Sequence, residues 1–282
     1  MQQHARRDSA GTVLSLAGTF NIPAERIVSC QSKPLIGEEM NVVSTAPNPP
    51  VATENSERAL RQAARALARS GLVHAYGHCS VRLDAEHFLV CAAKPMGTLL
   101  PSDAGTVVRT AGALPDGVLG EVRIHQQVYA RRPEVGAICR IMPPQTGLLA
   151  LLKRTPRARH GFGAYFAKPD GSGPVLWDDP RLLRDDAAAG RLADTLAAGN
   201  ALVMRANGAV VVGANLIEAV SLAWFLEEAA RVETGLMALG QDGDHSLLSA
   251  DETIARQVVA GRVYERMWEH LTFGDPEPVD PV

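Results

Sequence analysis

Between residues 87 and 212 the sequence carries four short apolar runs, and each is stopped by proline, glycine or asparagine before it has the length of a packed helix. His87 to Cys91 runs into Pro95, Gly97 and Pro101; Val135 to Ile141 stops at Pro143 and Pro144; Ala201 to Met204 and Ala209 to Val212 flank Asn207 and Gly208. Runs of this length and β-branched content suit strands, and the last two, joined through an Asn-Gly pair, read as a hairpin. Helical spacing appears elsewhere. Leu60, Ala63, Ala64 and Leu67 recur among Arg58, Arg61, Arg65 and Arg69, with Gly71 where a C-terminal cap belongs, so an amphipathic helix opens from Glu54. Glu121 to Arg131 and the long Ala-, Leu- and Glu-rich stretch Leu216 to Leu239 read as further helices. Strands interleaved with helices predict a mixed α/β layer fold.

The organisation expected from this pattern is an N-terminal extension or linker over residues 1–52, a single domain over 53–273 and a flexible tail over 274–282. The extension lacks sustained periodicity and ends in a run with Pro47, Pro49 and Pro50, and the tail holds Pro276, Pro278 and Pro281. With 46% hydrophobic residues the chain can bury a core without disulfides. Cys30, Cys79, Cys91 and Cys139 lie far apart and read as reduced thiols. Charged residues make up 21% of the chain and the formal net charge is -3, which favours neither nucleic acid nor an anionic membrane as partner and leaves small molecules or other proteins. No signal peptide or membrane-length apolar segment is read in the sequence, so the expected location is the cytoplasm.

Four further segments carry chemistry. Gly77-His78-Cys79-Ser80-Val81-Arg82 precedes the first apolar run. Glu121 to His125, with Tyr129 and Arg132-Pro133, forms the second. Val135 to Pro144 contains Arg140-Ile141-Met142-Pro143, and Met204 to Gly213 contains Arg205-Ala206-Asn207-Gly208. In order and separation these resemble motifs of the class II aldolase/adducin family: a Gly-Asn-x-Ser-x-Arg loop, a helix bearing a catalytic glutamate, a strand ending His-x-His-Pro, and an Arg-Asn-His-Gly hairpin. The resemblance spans roughly residues 54–240. It implies a layered α/β fold with a central mixed, mainly antiparallel sheet flanked by helices. It also implies a homo-oligomer, a tetramer with active sites near subunit borders.

The departures from those motifs decide the expected chemistry. Where metal-dependent members carry three imidazoles for a Lewis-acidic cation, this chain has Arg140, Met142 and Asn207. A guanidinium cannot ligate, a thioether is soft, and an amide offers one weak oxygen. No metal and no other cofactor is therefore expected, the alternative being a metal relocated onto histidines such as His74, His78, His125 and His160. Arg140 is read either as a fixed cation that holds a substrate carboxylate or oxyanion, or as the neutralising partner of Glu121. Glu121, by the resemblance, is the proton donor and acceptor, and His125, four residues on along a helix, shares its face.

His78, Ser80 and Asn207 are the expected substrate contacts, and His160 and Tyr165, in a Gly- and aromatic-rich stretch, are read as a lid or subunit-border loop. The stretch Cys91 to Gly97 lacks the hydroxyls of the family's phosphate cradle, which disfavours a sugar phosphate. The expected activity is a metal-independent carbon–carbon lyase, a decarboxylase of a small hydroxylated aromatic or conjugated carboxylic acid. The alternative from another class is a non-catalytic binding or scaffold protein like the adducin head.

Overall fold

In the computed structural model the described residues are 50–277. The strands are β1 (His78–Arg82), β2 (His87–Val90), β3 (Thr106–Arg109), β4 (Ala137–Ile141), β5 (Val175–Trp177), β6 (Ala201–Met204) and β7 (Ala209–Gly213). The helices are α1 (Glu54–Arg69), α2 (Arg123–Arg131), α3 (Pro144–Leu151), α4 (Gly161–Ala164), α5 (Asp186–Leu196), α6 (Leu216–Ala238), α7 (Ala250–Arg256) and α8 (Val263–Thr272). Local signals start them. The side chains of Thr53, Asp185, Asn215 and Ser249 accept backbone N–H bonds at the N-termini of α1, α5, α6 and α7. Gly71, at φ +70°, follows α1, where a side chain would be strained.

The strands form one seven-stranded sheet in the order β3-β2-β1-β4-β7-β6-β5, with β5 and β6 parallel and every other neighbouring pair antiparallel. This is the mixed, mainly antiparallel sheet expected. Alternation along β4 sorts the two faces: Ala137, Cys139 and Ile141 join α1 and α6 in one apolar layer, while Ile138 joins α2 and α5 in the other. Arg140 is therefore the polar member of the α2/α5 face, and β1 pairs His78 with Arg140 and Ser80 with Ile138 on that same face.

Several expectations are corrected. The Gly77–Arg82 segment is not a loop, because from His78 it is a strand wedged between β2 and β4. Glu121 precedes α2, in a 3-10 turn over Gly120–Val122. The hairpin does not turn on a two-residue Asn-Gly pair: Asn207 N–H bonds the Met204 carbonyl at 3.1 Å, and the positive φ values fall on Ala206 and Gly208, which releases the Asn207 side chain from the turn.

Much of the long helix α6 is buried. It is wrapped by α1, α3, α4, α8 and strands β4 and β7. The described part of the tail is also tied down: Asp275 and Glu277 are buried against α1, with Arg65 to Asp275 at 2.6 Å, Arg69 to Asp275 at 2.9 Å and Arg61 to Glu277 at 2.8 Å. Three arginines repeating every fourth residue along α1 thus face two acids, a pairing invisible to local periodicity. Cys79, Cys91 and Cys139 are free and buried, and Cys30 lies outside the described residues. Among the described residues no helix is long and apolar enough to cross a membrane.

Candidate active site

On the α2/α5 face, at the end of β4, the sheet opens into a cavity of about 450 Å³ lined by His78, Glu121 and Arg140. A backbone device brings the first of these alongside the third. Gly77 has φ +145°, and a Cβ there would lie 2.7 Å from Val73 Cγ1 and 3.1 Å from the Arg140 carbonyl oxygen, so a residue without a side chain lets β1 start hard against β4. Gly208 plays the same part for the hairpin: a Cβ on it would meet the Ile141 carbonyl oxygen at 2.0 Å.

The centre of the site is a closed three-residue network. Arg140 Nη2 donates to Glu121 Oε2 at 2.9 Å and to Asn207 Oδ1 at 2.6 Å, and Asn207 Nδ2 donates to Glu121 Oε1 at 2.9 Å. Arg140 Nη1 lies against the Ile141 carbonyl and the Met142 sulfur. Both carboxylate oxygens of Glu121 are thereby fixed, yet its side chain keeps 20% exposure against 4% for Arg140. Glu121 is the reachable member and Arg140 the clamp. Burial lowers the Arg140 pKa and Glu121 works to raise it, but a guanidinium remains charged at neutral pH. With both terminal nitrogens engaged, Arg140 is the partner of Glu121 rather than an open bidentate carboxylate hook.

Behind this network lies a buried chain of hydrogen bonds. His78 Nδ1 is 2.9 Å from His125 Nε2, His125 Nδ1 is 2.6 Å from Ser80 Oγ, and Ser80 Oγ is 2.9 Å from the Tyr129 hydroxyl. Burial, then the Arg140 charge, holds His125 down at a pKa of about 3. Burial, then His125 and Arg140, holds His78 well below the usual imidazole range. Both rings are neutral at physiological pH.

His125 is consequently not a wall of the cavity beside Glu121, as its spacing suggested. Both its nitrogens are committed to His78 and Ser80, and Ser80 is likewise internal. His160 and Tyr165 are not at this cavity either: His160 caps α4, and Tyr165 packs on Phe225 of α6, in the layer on the opposite face of the sheet.

Residues that the sequence reading did not assign to the site complete the rim. Lys94, Arg123 and Arg184 line the cavity together with Arg140, and Glu121 is the one carboxylate among the lining residues. Lys94 and Arg123 have acidic partners in Asp103 and Asp186, and Arg184 has none among the described residues. The helical interval from His125 to Tyr129 could have suggested the buried chain; nothing local marks Arg184. The excess of cations fits an anionic ligand.

The metal site of the imidazole-bearing proteins described above does not fit these residues. The guanidinium of Arg140 occupies the space between Asn207 and Glu121, and among the described residues no group of three histidine, cysteine, aspartate or glutamate side chains could hold a metal ion. That applies equally to a relocated site on His74, His78, His125 and His160.

A layered α/β fold with a glutamate-centred cleft at the end of the central strand β4 is the class of protein this architecture defines. The profile of the class II aldolase and adducin N-terminal domain matches residues 58–234, and the chain belongs to that family. Among solved structures it is similar to the L-fuculose-1-phosphate aldolase of Thermus thermophilus, at 25% identity and TM-score 0.58 over 68% of this chain and 98% of that one. The L-fuculose 1-phosphate aldolase of Glaciozyma antarctica matches at 22% identity and TM-score 0.62, over 79% and 92% of the two chains. YgbL of Escherichia coli, a candidate aldolase/epimerase/decarboxylase, matches at 22% identity and TM-score 0.60, over 73% and 99%. No curated protein sequence matches.

Proposed function

We propose that the chain is a lyase that works without a metal at the family's metal position, with Glu121 as its proton-transfer group and a small carboxylic acid as its substrate. The observation that carries this is the clamping of a partly exposed carboxylate in a cation-rimmed cavity. A decayed pocket would be filled by apolar side chains, whereas here Arg140 and Asn207 keep Glu121 in one orientation facing the cavity, the pre-organisation that general acid–base chemistry needs. Arg184, with no acidic partner among the described residues, supplies positive charge for the substrate anion.

Decarboxylation is the reaction that suits this equipment best. Loss of carbon dioxide leaves an electron pair on carbon; with no Lewis acid to take it up, a conjugated or hydroxylated aromatic ring must delocalise it until a carbon is protonated. Glu121, recharged from solvent, gives that proton. The segment Cys91–Gly97 brings Ala93, Lys94 and Pro95 to the wall without a hydroxyl cradle for phosphate, which argues against a sugar phosphate. A ring of subunits would cover the apolar side chains Tyr76, Leu119 and Leu182 that stand exposed beside the cavity, so a homotetramer accompanies this reading.

The test is turnover of a panel of hydroxybenzoic and conjugated acids, followed by carbon dioxide release and mass spectrometry of the product. Glu121→Gln removes the transferable proton, keeps one of the two hydrogen bonds that the carboxylate accepts, and should lower the rate about 100-fold or more. Elemental analysis should find no stoichiometric divalent metal after dialysis. A protein that turns over no acid and shows no ligand-induced rise in melting temperature would be an adducin-like binding module instead.

A further inference from the structure

Two buried nitrogens of residues in the cavity wall have no hydrogen-bond partner among the described residues, His78 Nε2 and Arg140 Nε. They belong to residues directly paired across β1 and β4, which places them on one face of the sheet, and both residues line the cavity. Each side chain is closed to bulk water, at 3% residue exposure in both cases. Leaving a buried polar group unmatched is costly, so two on paired neighbouring residues invite a ligand atom.

Whether that atom is an acceptor depends on which nitrogen of His78 carries the proton, and the buried chain behind it decides. Suppose the Tyr129 hydroxyl donates to Ser80. Ser80 must then donate to His125 Nδ1, His125 Nε2–H donates to His78 Nδ1, and His78 carries its proton on Nε2. Only the His78 N–H is left over, on a residue that lines the cavity. In the opposite direction the Tyr129 proton loses its acceptor, since among the described residues Ser80 is the hydroxyl's one hydrogen-bond partner, and His78 Nε2 becomes a bare lone pair beside a guanidinium. That arrangement leaves two groups unmatched instead of one. The buried phenol, whose pKa is raised chiefly by burial, stays protonated and cannot escape the problem by ionising.

We infer that Tyr129, Ser80 and His125 form a one-way hydrogen-bond relay that locks neutral His78 as an Nε2–H donor, and that this donor and Arg140 Nε–H together make a subsite for one anionic oxygen of the ligand. The ligand class is an acid or phenolate; a cationic or purely donor group is rejected. Glu121, held by Nη2 of the same guanidinium, then stands beside the bound oxygen. His78 is a binding residue, and Ser80, His125 and Tyr129 are positioning residues. The relay stands on the hydrogen-bond pattern alone, while the choice of an organic acid as ligand rests on the function proposed above.

The experiment separates the two. In protein labelled with ¹⁵N-histidine, long-range ¹H–¹⁵N correlation at neutral pH should show both His78 and His125 as single tautomers protonated on Nε2. A proton on His78 Nδ1, or a charged ring, overturns the relay. Ser80→Ala removes the donor to His125 and should leave His78 as a mixture of tautomers; an unmixed Nε2–H form in that variant shows that the relay does not set it. Salicylate, as the probe acid, should shift the His78 Nε2–H resonance downfield, and His78→Leu should weaken its binding by about tenfold or more. Unchanged affinity in His78→Leu overturns the subsite. If wild-type protein shows the expected tautomers but binds no acid from the panel, the relay stands and the substrate class falls.

Discussion

Replacing Arg140 with methionine tests how the centre of the site is held together. The side chain is 4% exposed and donates one charge-assisted hydrogen bond to Glu121 at 2.9 Å, while the Glu121 side chain keeps 20% exposure. Exposed ion pairs contribute about 0.2–1 kcal/mol. Removing one partner of a fully buried pair costs about 3–5 kcal/mol, because the other charge is left stranded. A pair with one partner buried and the other partly wetted lies between, so Arg140→Met should destabilise the unliganded protein by about 2–3 kcal/mol. Part of the loss is offset because the buried guanidinium no longer has to be desolvated, a cost visible in its lowered pKa. In a Glu121→Gln background the stranded carboxylate is gone, and the same substitution should cost about 2 kcal/mol less. Urea unfolding of the four proteins of this cycle, at neutral pH and low salt, measures the coupling. A coupling below about 0.5 kcal/mol would falsify the claim that Arg140 holds Glu121 in place.

Other expectations concern the frame around the site. Burial works to raise the Asp275 pKa but hydrogen bonds from Arg65 and Arg69 outweigh it, and Arg61 holds Glu277 down against burial, so both carboxylates titrate below their usual range. Groups of this kind contribute stability above the unfolded-state pKa of about 4 and lose it as pH falls through the depressed folded values. Thermal melts of wild type should therefore fall more steeply than those of Asp275→Asn on acidification below about pH 4, and parallel curves would refute the pairing. Glu233, fully buried on α6, accepts from Arg159 at 2.5 and 3.0 Å, so Glu233→Ala should cost about 3–5 kcal/mol in denaturant unfolding; a loss under about 1 kcal/mol would mean that water reaches the pair. Gly208→Ala forces a Cβ to within 2.0 Å of a carbonyl oxygen at φ +75°, and should both destabilise the fold by more than about 2 kcal/mol and disturb Asn207; a wild-type melting curve would show that the hairpin yields.

Much of the fold could be read from local pattern, because strands and helices advertise themselves over a few residues. α1, β2, β4, the β6–β7 pair and α6 all lie close to where periodicity puts them, and the substitution of Arg140, Met142 and Asn207 for imidazoles was plain from motif order alone. What spacing could not supply was partnership. His125 lies four residues after Glu121, yet a 3-10 turn intervenes and the two side chains serve different networks. His160 and Tyr165 looked like site residues by type, but the sheet stands between their layer and the cavity. Conversely, Arg184 reaches the cavity wall from a segment with no distinguishing pattern, and Asp275 and Glu277 find Arg65 and Arg61 more than two hundred residues away along the chain. Residue type determines which charges and hydrogen bonds are possible. Which of them form depends on strand register and layer crossing, and those are settled by the packing of the two apolar faces, a property of the whole chain at once.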